Sequence, residues 1–119
     1  MTTEEIVQQL VKYINAGQNV QAEEELYADN VLSVEQNGYS VQGKEAVIAK
    51  TKGAFESFEA FHGGGVTTAF VGKDNFILEF KLDVTPKGGE RMMMHEFGFY
   101  KLQDGKVVEE YFYAEPTNF

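Results

Sequence analysis

The residue of this sequence best suited to acid–base chemistry is His95. Alternation along the surrounding segment places its side chain on the same face as Met93, Phe97 and Phe99, which indicates an apolar, inward-facing surface. Because the unperturbed pKa of histidine is about 6.5, an imidazole in an apolar cavity can act as acid, base or hydrogen-bond donor. We therefore predict a catalytic role for His95. The alternative is a core histidine that is hydrogen-bonded to a backbone carbonyl or a neighbouring tyrosine.

A second candidate, Glu110, lies on the last predicted strand. A two-residue turn at Asp104-Gly105 would pair Phe97 with Phe112 and leave Glu110 on the same inward side. A carboxylate there needs a partner, so Glu110 is either a general base or the partner of a ligand amine. A one-residue bulge in the strand would instead turn the side chain to the surface.

Neither histidine carries the pattern of a metal site. His62 and His95 lie on separate elements without the spacing at which side chains share one metal ion, so we expect no metal and no cofactor. His62 precedes Gly63-Gly64-Gly65 and lies either at a pocket rim or at a solvent-facing helix end. The glycine run lacks the Lys-Ser/Thr of a phosphate-binding loop.

The composition describes one ordinary acidic domain, which we expect to span residues 1–119. Ten Lys and Arg against 19 Asp and Glu give a net charge of −9. That charge opposes binding to phosphates, so we expect neither nucleic acid nor an anionic membrane as a partner. The absence of cysteine excludes a disulfide scaffold and a thiolate nucleophile. The N-terminus lacks the basic region and the apolar run of a secretory signal peptide. We therefore expect a cytoplasmic protein.

The elements that position these residues follow from periodicity. Thr2 and Glu5 have the form of a capping box, and the apolar stripe that follows stops at Gly17. Asn19 is predicted to cap a second, short helix. A third helix is predicted over residues 44–58, and strands over residues 31–35, 39–41, 66–71, 76–85, 90–102 and 106–114.

Helices followed by strands in this order predict an α+β domain. We expect a curved antiparallel sheet whose concave face is covered by the N-terminal helices. The last two strands are apolar on both faces, so the face that points away from the helices is predicted to form a homodimer interface. The alternative is that scattered surface tyrosines and methionines need no partner. The predicted interface residues are Met92, Met94, Tyr100, Tyr111 and Tyr113.

Four stretches of the sequence carry a family resemblance: Asn15-Ala16-Gly17, Leu26-Tyr27-Ala28-Asp29-Asn30, Gly43-Lys44-Glu45-Ala46-Val47 and Asp104-Gly105-Lys106-Val107-Val108-Glu109. With the order of elements, they resemble the SnoaL-like branch of the nuclear transport factor 2-like superfamily over nearly the whole chain. The resemblance implies a cone-shaped, cystatin-like α+β fold. Ketosteroid isomerases, polyketide cyclases and limonene epoxide hydrolases belong to that superfamily, so the resemblance supports the fold better than any one reaction.

The positions that carry ketosteroid isomerisation in that superfamily hold different residues here. The resemblance places Leu10 at the tyrosine position, Gln36 at the general-base position and His95 at the carboxylic-acid position. Leucine cannot donate a hydrogen bond and an amide does not accept a proton near neutral pH, so we do not expect that isomerisation. Gln36 keeps a predicted ligand-binding role because an amide offers both donor and acceptor; a role in the turn at Asn37-Gly38 is its alternative. A limonene epoxide hydrolase is not indicated either, since Arg91 is the sole arginine.

Two functions remain open from the sequence. The first is binding of a hydrophobic small molecule in the cone, with isomerase or cyclase-type acid–base chemistry through His95. The second is a non-catalytic dimerisation or accessory domain whose interior is filled by its own phenylalanines. An open interior of about 300 Å³ or more, with His95 exposed to it, would favour the first. The predicted ligand contacts are Gln36, Phe55, Phe58, Phe80, Phe97, Phe99, Glu110 and Phe112.

Overall fold

Two helices at the start of the chain pack against each other and lead into the sheet. In the computed structural model, which describes residues 1–114, helix α1 is Thr3–Asn15 and helix α2 is Asn19–Leu26. The predicted capping box is confirmed, because the Thr2 hydroxyl accepts from the Glu5 N–H at 3.1 Å while the Glu5 carboxylate accepts from the Thr2 N–H at 2.8 Å. The predicted cap at Asn19 is wrong. Gln18 occupies that position without a side-chain hydrogen bond, and Asn19 already belongs to the helix.

A third helix and six strands follow in the order predicted from periodicity, with different starting points. The first strand begins before residue 31, and Phe58 begins a strand where we predicted the end of a helix. The elements are β1 Tyr27–Val34, β2 Ser40–Gln42, α3 Lys44–Glu56, β3 Phe58–Val71, β4 Asn75–Pro86, β5 Met92–Gln103 and β6 Lys106–Ala114.

The run Gly63-Gly64-Gly65 lies inside strand β3, whereas the sequence suggested that the strand starts after it. The register with β4 shifts before and after the run, so the strand stays continuous through an irregular, bent stretch. Helix α1 ends against this stretch, where the Asn15 side-chain oxygen accepts a hydrogen bond from the Val66 N–H at 2.8 Å. The glycines therefore join the helical layer to the sheet.

The strands form one curved sheet in the order β2-β1-β6-β5-β4-β3. Strands β3 to β6 form the predicted antiparallel meander. Strand β1 pairs with β6 in parallel, so the sheet is mixed and not antiparallel throughout.

No helix within residues 1–114 is long and apolar enough to cross a membrane. The helices cover the concave face, and the core they share with it includes Leu10, Leu26, Phe76, Leu78 and Tyr100.

The pairing of β4 with β5 decides which side chains of β5 face the helices. Phe80 pairs with Glu96, and Leu82 pairs with Met94. Because Phe80 lies on the buried face, Met94 and Glu96 also point inward, and His95 points outward. The predicted inward orientation of His95 is therefore wrong.

A register shift between β5 and β6 accounts for this error. Next to the turn the pairing is that of the predicted two-residue loop, but the register shifts between Lys101 and Leu102. Beyond the shift, Phe112 pairs with Gly98 and not with Phe97. Since side chains alternate, this shift of one residue leaves Glu110 and Phe112 on their predicted inward side but exchanges the two faces of β5. On the turn side of the shift, Val107 is buried, although the predicted pairing placed it on the outward side.

Candidate functional site

The helices and the concave face of the sheet enclose a half-open cavity of about 590 Å³. All three helices contribute to its mostly apolar wall. This volume meets the size expected of a ligand-binding interior, and the phenylalanines line the interior and do not fill it. The other feature expected of such an interior, His95 exposed to it, is not found in the described cavity wall, because His95 lies on the outer face of the sheet. Five of the predicted contacts lie in this wall, namely Phe55, Phe58, Phe80, Glu110 and Phe112.

The carboxyl group of Glu110 is the centre of a buried hydrogen-bond network. Its side chain is 2% exposed, and its two oxygens accept from the Tyr27 hydroxyl and, at 2.6 Å, from the Ser33 hydroxyl. The Lys50 ammonium donates to the Ser33 hydroxyl oxygen at 2.6 Å and to a Glu35 carboxylate oxygen at 2.8 Å. One hydroxyl thereby links a positive charge to the Glu110 carboxyl.

Opposing effects act on the pKa of Glu110. Burial raises the pKa of Glu110, whereas the hydrogen bonds from Ser33 and Tyr27 and the charge of Lys50 lower it. The effect of burial is the larger one, and the net pKa is therefore raised. The surface orientation left open by the sequence is wrong, because the side chain lines the cavity. On the neighbouring strand it lies opposite Tyr100.

Helix α2 supplies a second buried carboxyl group, Glu23, which the sequence analysis did not single out. Its side chain is 6% exposed and lines the cavity. The Thr51 hydroxyl donates to Oε2 at 2.6 Å, while the buried Oε1 has no hydrogen-bond partner among residues 1–114. Burial raises the pKa of Glu23 to about 8, so this group holds a proton at neutral pH.

Glu96 brings a third carboxyl group to the cavity from strand β5. It is half-buried, and within residues 1–114 no hydrogen bond holds its side chain. Burial raises the pKa of Glu96; the charge of Glu35 raises it further, and that of Lys50 lowers it. Its cross-strand partner Phe80 has its ring centroid 6.4 Å from that of Phe112. Glu96 therefore lies across the strand from Phe80, whose ring neighbours that of Phe112.

His95 lies on the outer face of the sheet, away from the cavity wall. Its Nε2 is 2.6 Å from a carboxylate oxygen of Glu79, and its ring centroid is 5.1 Å from that of Phe97. The hydrogen bond from His95 lowers the pKa of Glu79. The structure thus gives His95 a carboxylate partner on the outer face, the Glu79 side chain.

The other predicted contacts outside the cavity wall are Phe97, Phe99 and Gln36. Phe97 and Phe99 point outward together with His95, because the register between β4 and β5 turns the alternate residues of β5 inward. The Gln36 side-chain oxygen accepts a hydrogen bond from the Ala114 N–H at 2.7 Å, which ties the end of β1 to the end of β6. This bond gives Gln36 a structural role, and its side chain lies outside the described cavity wall.

An apolar surface covers the outer side of the last two strands. We call it the outer aromatic face; it consists of Met93, Phe97, Phe99, Tyr111 and Tyr113. The ring centroids of Phe99 and Tyr111 are 6.3 Å apart, and Met93 and Tyr113 are about half exposed. The predicted interface is corrected accordingly: Tyr111 and Tyr113 belong to this face, whereas Met94 and Tyr100 point inward and Met92 shares their side of the strand.

The ionisable groups of residues 1–114 form no metal centre. Within the described part of the chain, no group of three or more histidine and carboxylate side chains is placed to hold a metal ion. His62 is exposed on β3, with its Nε2 2.8 Å from the Thr85 hydroxyl oxygen.

A curved sheet with helices on its concave face and a cavity between them is the architecture of nuclear transport factor 2-like proteins. Within that superfamily, the chain belongs to the SnoaL-like domain family, whose sequence profile matches residues 1–114. The resemblance noted in the sequence is thereby confirmed.

Solved structures of three proteins illustrate the relationship. A protein from Mesorhizobium loti, provisionally assigned as a SnoaL-like polyketide cyclase, is 40% identical, with 95% of this chain and 99% of that chain covered and a TM-score of 0.88. A protein with the same provisional assignment from Jannaschia sp. CCS1 is 21% identical, with 95% and 85% covered and a TM-score of 0.80. A protein of unknown function from Burkholderia pseudomallei K96243 is 11% identical, with 95% and 90% covered and a TM-score of 0.80. The last two show the fold alone. No curated protein gives a significant match.

Proposed function

We propose that the protein binds a hydrophobic small molecule in its cavity and catalyses a proton transfer of the isomerase or cyclase type on it. The observation that carries this proposal is an open space of about 590 Å³ whose aromatic wall is interrupted by carboxyl groups. Such a combination of apolar surface and few converging polar groups is typical of small-molecule sites. The provisional assignment of the Mesorhizobium loti protein as a polyketide cyclase supports the same class of reaction.

Two carboxyl groups of the wall supply the acid and the base. Glu23 carries a proton at neutral pH and has an unpartnered oxygen, so it can donate a hydrogen bond to a ligand carbonyl. Glu110 is a stronger base than a carboxylate in water, because burial raises its pKa. In the step, a C–H bond next to the carbonyl breaks, the proton moves to Glu110, and the resulting enolate oxygen accepts the hydrogen bond from Glu23. These groups replace the role we predicted for His95.

A neutral fluorescent probe, N-phenyl-1-naphthylamine, tests binding in the cavity. Ala54 is exposed on α3 and lines the cavity, so we expect Ala54→Trp to place an indole in the opening. The dissociation constant of the probe should rise by about tenfold or more, which corresponds to about 1.4 kcal/mol of lost binding free energy. Ala49→Trp, on the same helix but outside the wall, is the matched control and should bind as the wild type does. Equal binding by both variants, or no binding by the wild type, would contradict the proposal.

The competing function, a non-catalytic accessory domain with an aromatic-filled interior, has less support because the interior space is open.

We also propose that the protein forms a homodimer through the outer aromatic face. Dimerisation through this face is compatible with ligand binding in the cavity. Contiguous apolar side chains on an outer sheet face are typical of an interface between subunits. The cytoplasmic location stays a prediction.

The dimer is expected to dissociate in the variant Tyr111→Glu. The new carboxylate would lie in the middle of the outer aromatic face, next to Glu109, and charge repulsion and desolvation would oppose association. Light scattering should give twice the 13.4 kDa of one chain for the wild type and one chain mass for the variant. Tyr39→Glu changes an exposed tyrosine outside that face and should leave the mass unchanged. A monomeric wild type would refute the dimer.

A further inference from the structure

We propose that the ligand of the cavity carries a basic nitrogen, whose cation binds Glu96 beside the rings of Phe80 and Phe112. This inference rests on the proposed function, because it names the class of molecule that the same cavity takes.

The wall of the cavity is rich in carboxyl groups and poor in cations. Within residues 1–114 its carboxyl groups are those of Glu23, Glu35, Glu96 and Glu110, and its one cationic side chain is Lys50. That lysine already donates to Glu35 at 2.8 Å and to a serine hydroxyl at 2.6 Å. Even with Glu23 protonated, the other three carboxyl groups of the wall outnumber its single ammonium group, so a cationic ligand is favoured over an anionic one.

Glu96 is the carboxyl group that such a cation can reach. No hydrogen bond within residues 1–114 holds its side chain, and it lies directly across from Phe80 on the inward face of the sheet. The ring of Phe112 is 6.4 Å from that of Phe80, and the two planes are inclined by 55°. A carboxylate beside aromatic faces binds ammonium groups through charge and through the ring quadrupoles. The Lys50 ammonium lies 5.0 Å from the Phe112 centroid, so the ligand cation would share that ring with a cation of the protein, and Phe80 is the ring that faces Glu96 directly.

The unpartnered oxygen of Glu23 points to a second polar atom on the ligand. The side chain is 6% exposed, and its Oε1 is buried without a partner within the described residues, although it belongs to the wall of the same cavity. An unpaired buried polar atom is costly, so a ligand oxygen that pairs with it would be stabilised. The inferred class is thus an apolar amine that also carries a carbonyl or hydroxyl oxygen.

Three probes of equal length separate the possible charges of the ligand: 4-phenylbutylamine, 4-phenylbutan-1-ol and 4-phenylbutanoate. Each is measured by displacement of N-phenyl-1-naphthylamine from the cavity, at a salt concentration high enough to screen the net charge of −9. We expect the amine to bind about tenfold tighter than the alcohol, and the carboxylate to bind most weakly. In Glu96→Gln the ratio of alcohol to amine dissociation constants should fall to within about threefold of unity. Glu24→Gln removes an exposed carboxylate of α2 outside the cavity and should keep the wild-type ratio.

The outcomes distinguish this inference from the proposed function. If N-phenyl-1-naphthylamine binds and the alcohol competes as well as the amine, the amine inference is overturned while hydrophobic binding stands. A preference for the amine that survives in Glu96→Gln also overturns it, because the cation would then bind elsewhere. If the fluorescent probe does not bind the wild type, both are overturned. Each comparison is a ratio within one variant, so a general loss of stability does not change its meaning.

Discussion

Replacement of Gly64 by alanine is expected to lower the free energy of unfolding by about 3 kcal/mol or more. The backbone φ of Gly64 is +107°, in the region that side chains with a Cβ rarely adopt. A Cβ built there would lie 2.1 Å from the carbonyl oxygen of Lys81 and 3.0 Å from the Cα of Leu82. Both are backbone atoms of the paired strand β4, so they can move only by distorting the β3–β4 ladder.

Urea denaturation followed by circular dichroism measures this effect, and Gly53→Ala is the control. Gly53 lies in helix α3, and a Cβ there would meet no atom within 4 Å. The control should therefore gain roughly 0.5–1 kcal/mol from the higher helix propensity of alanine. A Gly64→Ala protein that does not fold would be the extreme form of the expected loss. An unchanged denaturation midpoint would mean that β3 does not approach β4 as described.

The wild-type protein is expected to lose stability as the pH rises from about 5 to 8. Glu23 has a pKa of about 8 in the folded protein, against an ordinary value of 4.5. Between these values the unfolded chain has released a proton that the folded chain still holds, so rising pH favours the unfolded state. The free energy of unfolding should fall by up to about 1.4 kcal/mol per pH unit through this group. Burial also raises the pKa values of Glu96 and Glu110, which act in the same direction.

The variant Glu23→Gln isolates this contribution. The amide keeps the shape of the carboxyl group and can still pair with Thr51, but it has no proton to lose. Its stability should fall less steeply over the same pH range, and at pH 8 it should exceed the wild type by roughly 2–4 kcal/mol. Glu24→Gln, on the exposed side of the same helix, should keep the wild-type slope. Wild-type stability that stays constant or rises over this range would contradict a buried, protonated Glu23.

The elements could be predicted because each carries a local signal. The capping box at Thr2 and Glu5, the helical spacing in α1 and the alternation in β4 each depend on residues close in sequence. The parallel pairing of β1 with β6 was missed because it joins strands separated by most of the chain. The glycine run was misinterpreted as a break, since glycine also serves to bend a continuous strand.

The orientation of β5 could not be predicted because both of its faces are apolar. Alternation shows which side chains share a face, but it does not say which face is buried when Phe97 and Tyr100 are equally suited to the core. The deciding feature was the register shift between Lys101 and Leu102, which has no clear sequence signal. Gly98 was one available hint, because the ring of Tyr100 fills the space where its side chain would be.

Glu23 was missed because it belongs to the acidic stretch Glu23-Glu24-Glu25, which reads as a solvated surface. The helical spacing contains the missing signal. Ala22 and Leu26, four residues apart, are both buried, and Glu23 extends the same buried side of α2. A charged residue next to an apolar helical stripe is therefore worth examining as a cavity group, even within a run of like charges.

The central claim, that a hydrophobic molecule binds between the helices and the concave face, is tested most directly by the methyl groups of two adjacent methionines. Met94 lines the cavity, whereas Met93 lies on the outer aromatic face. In protein labelled with ¹³C at the methionine methyl groups and bound to N-phenyl-1-naphthylamine, we expect nuclear Overhauser effects from the probe to the Met94 methyl group and none to that of Met93. Effects to Met93 without Met94 would place the ligand on the outer face and contradict the account.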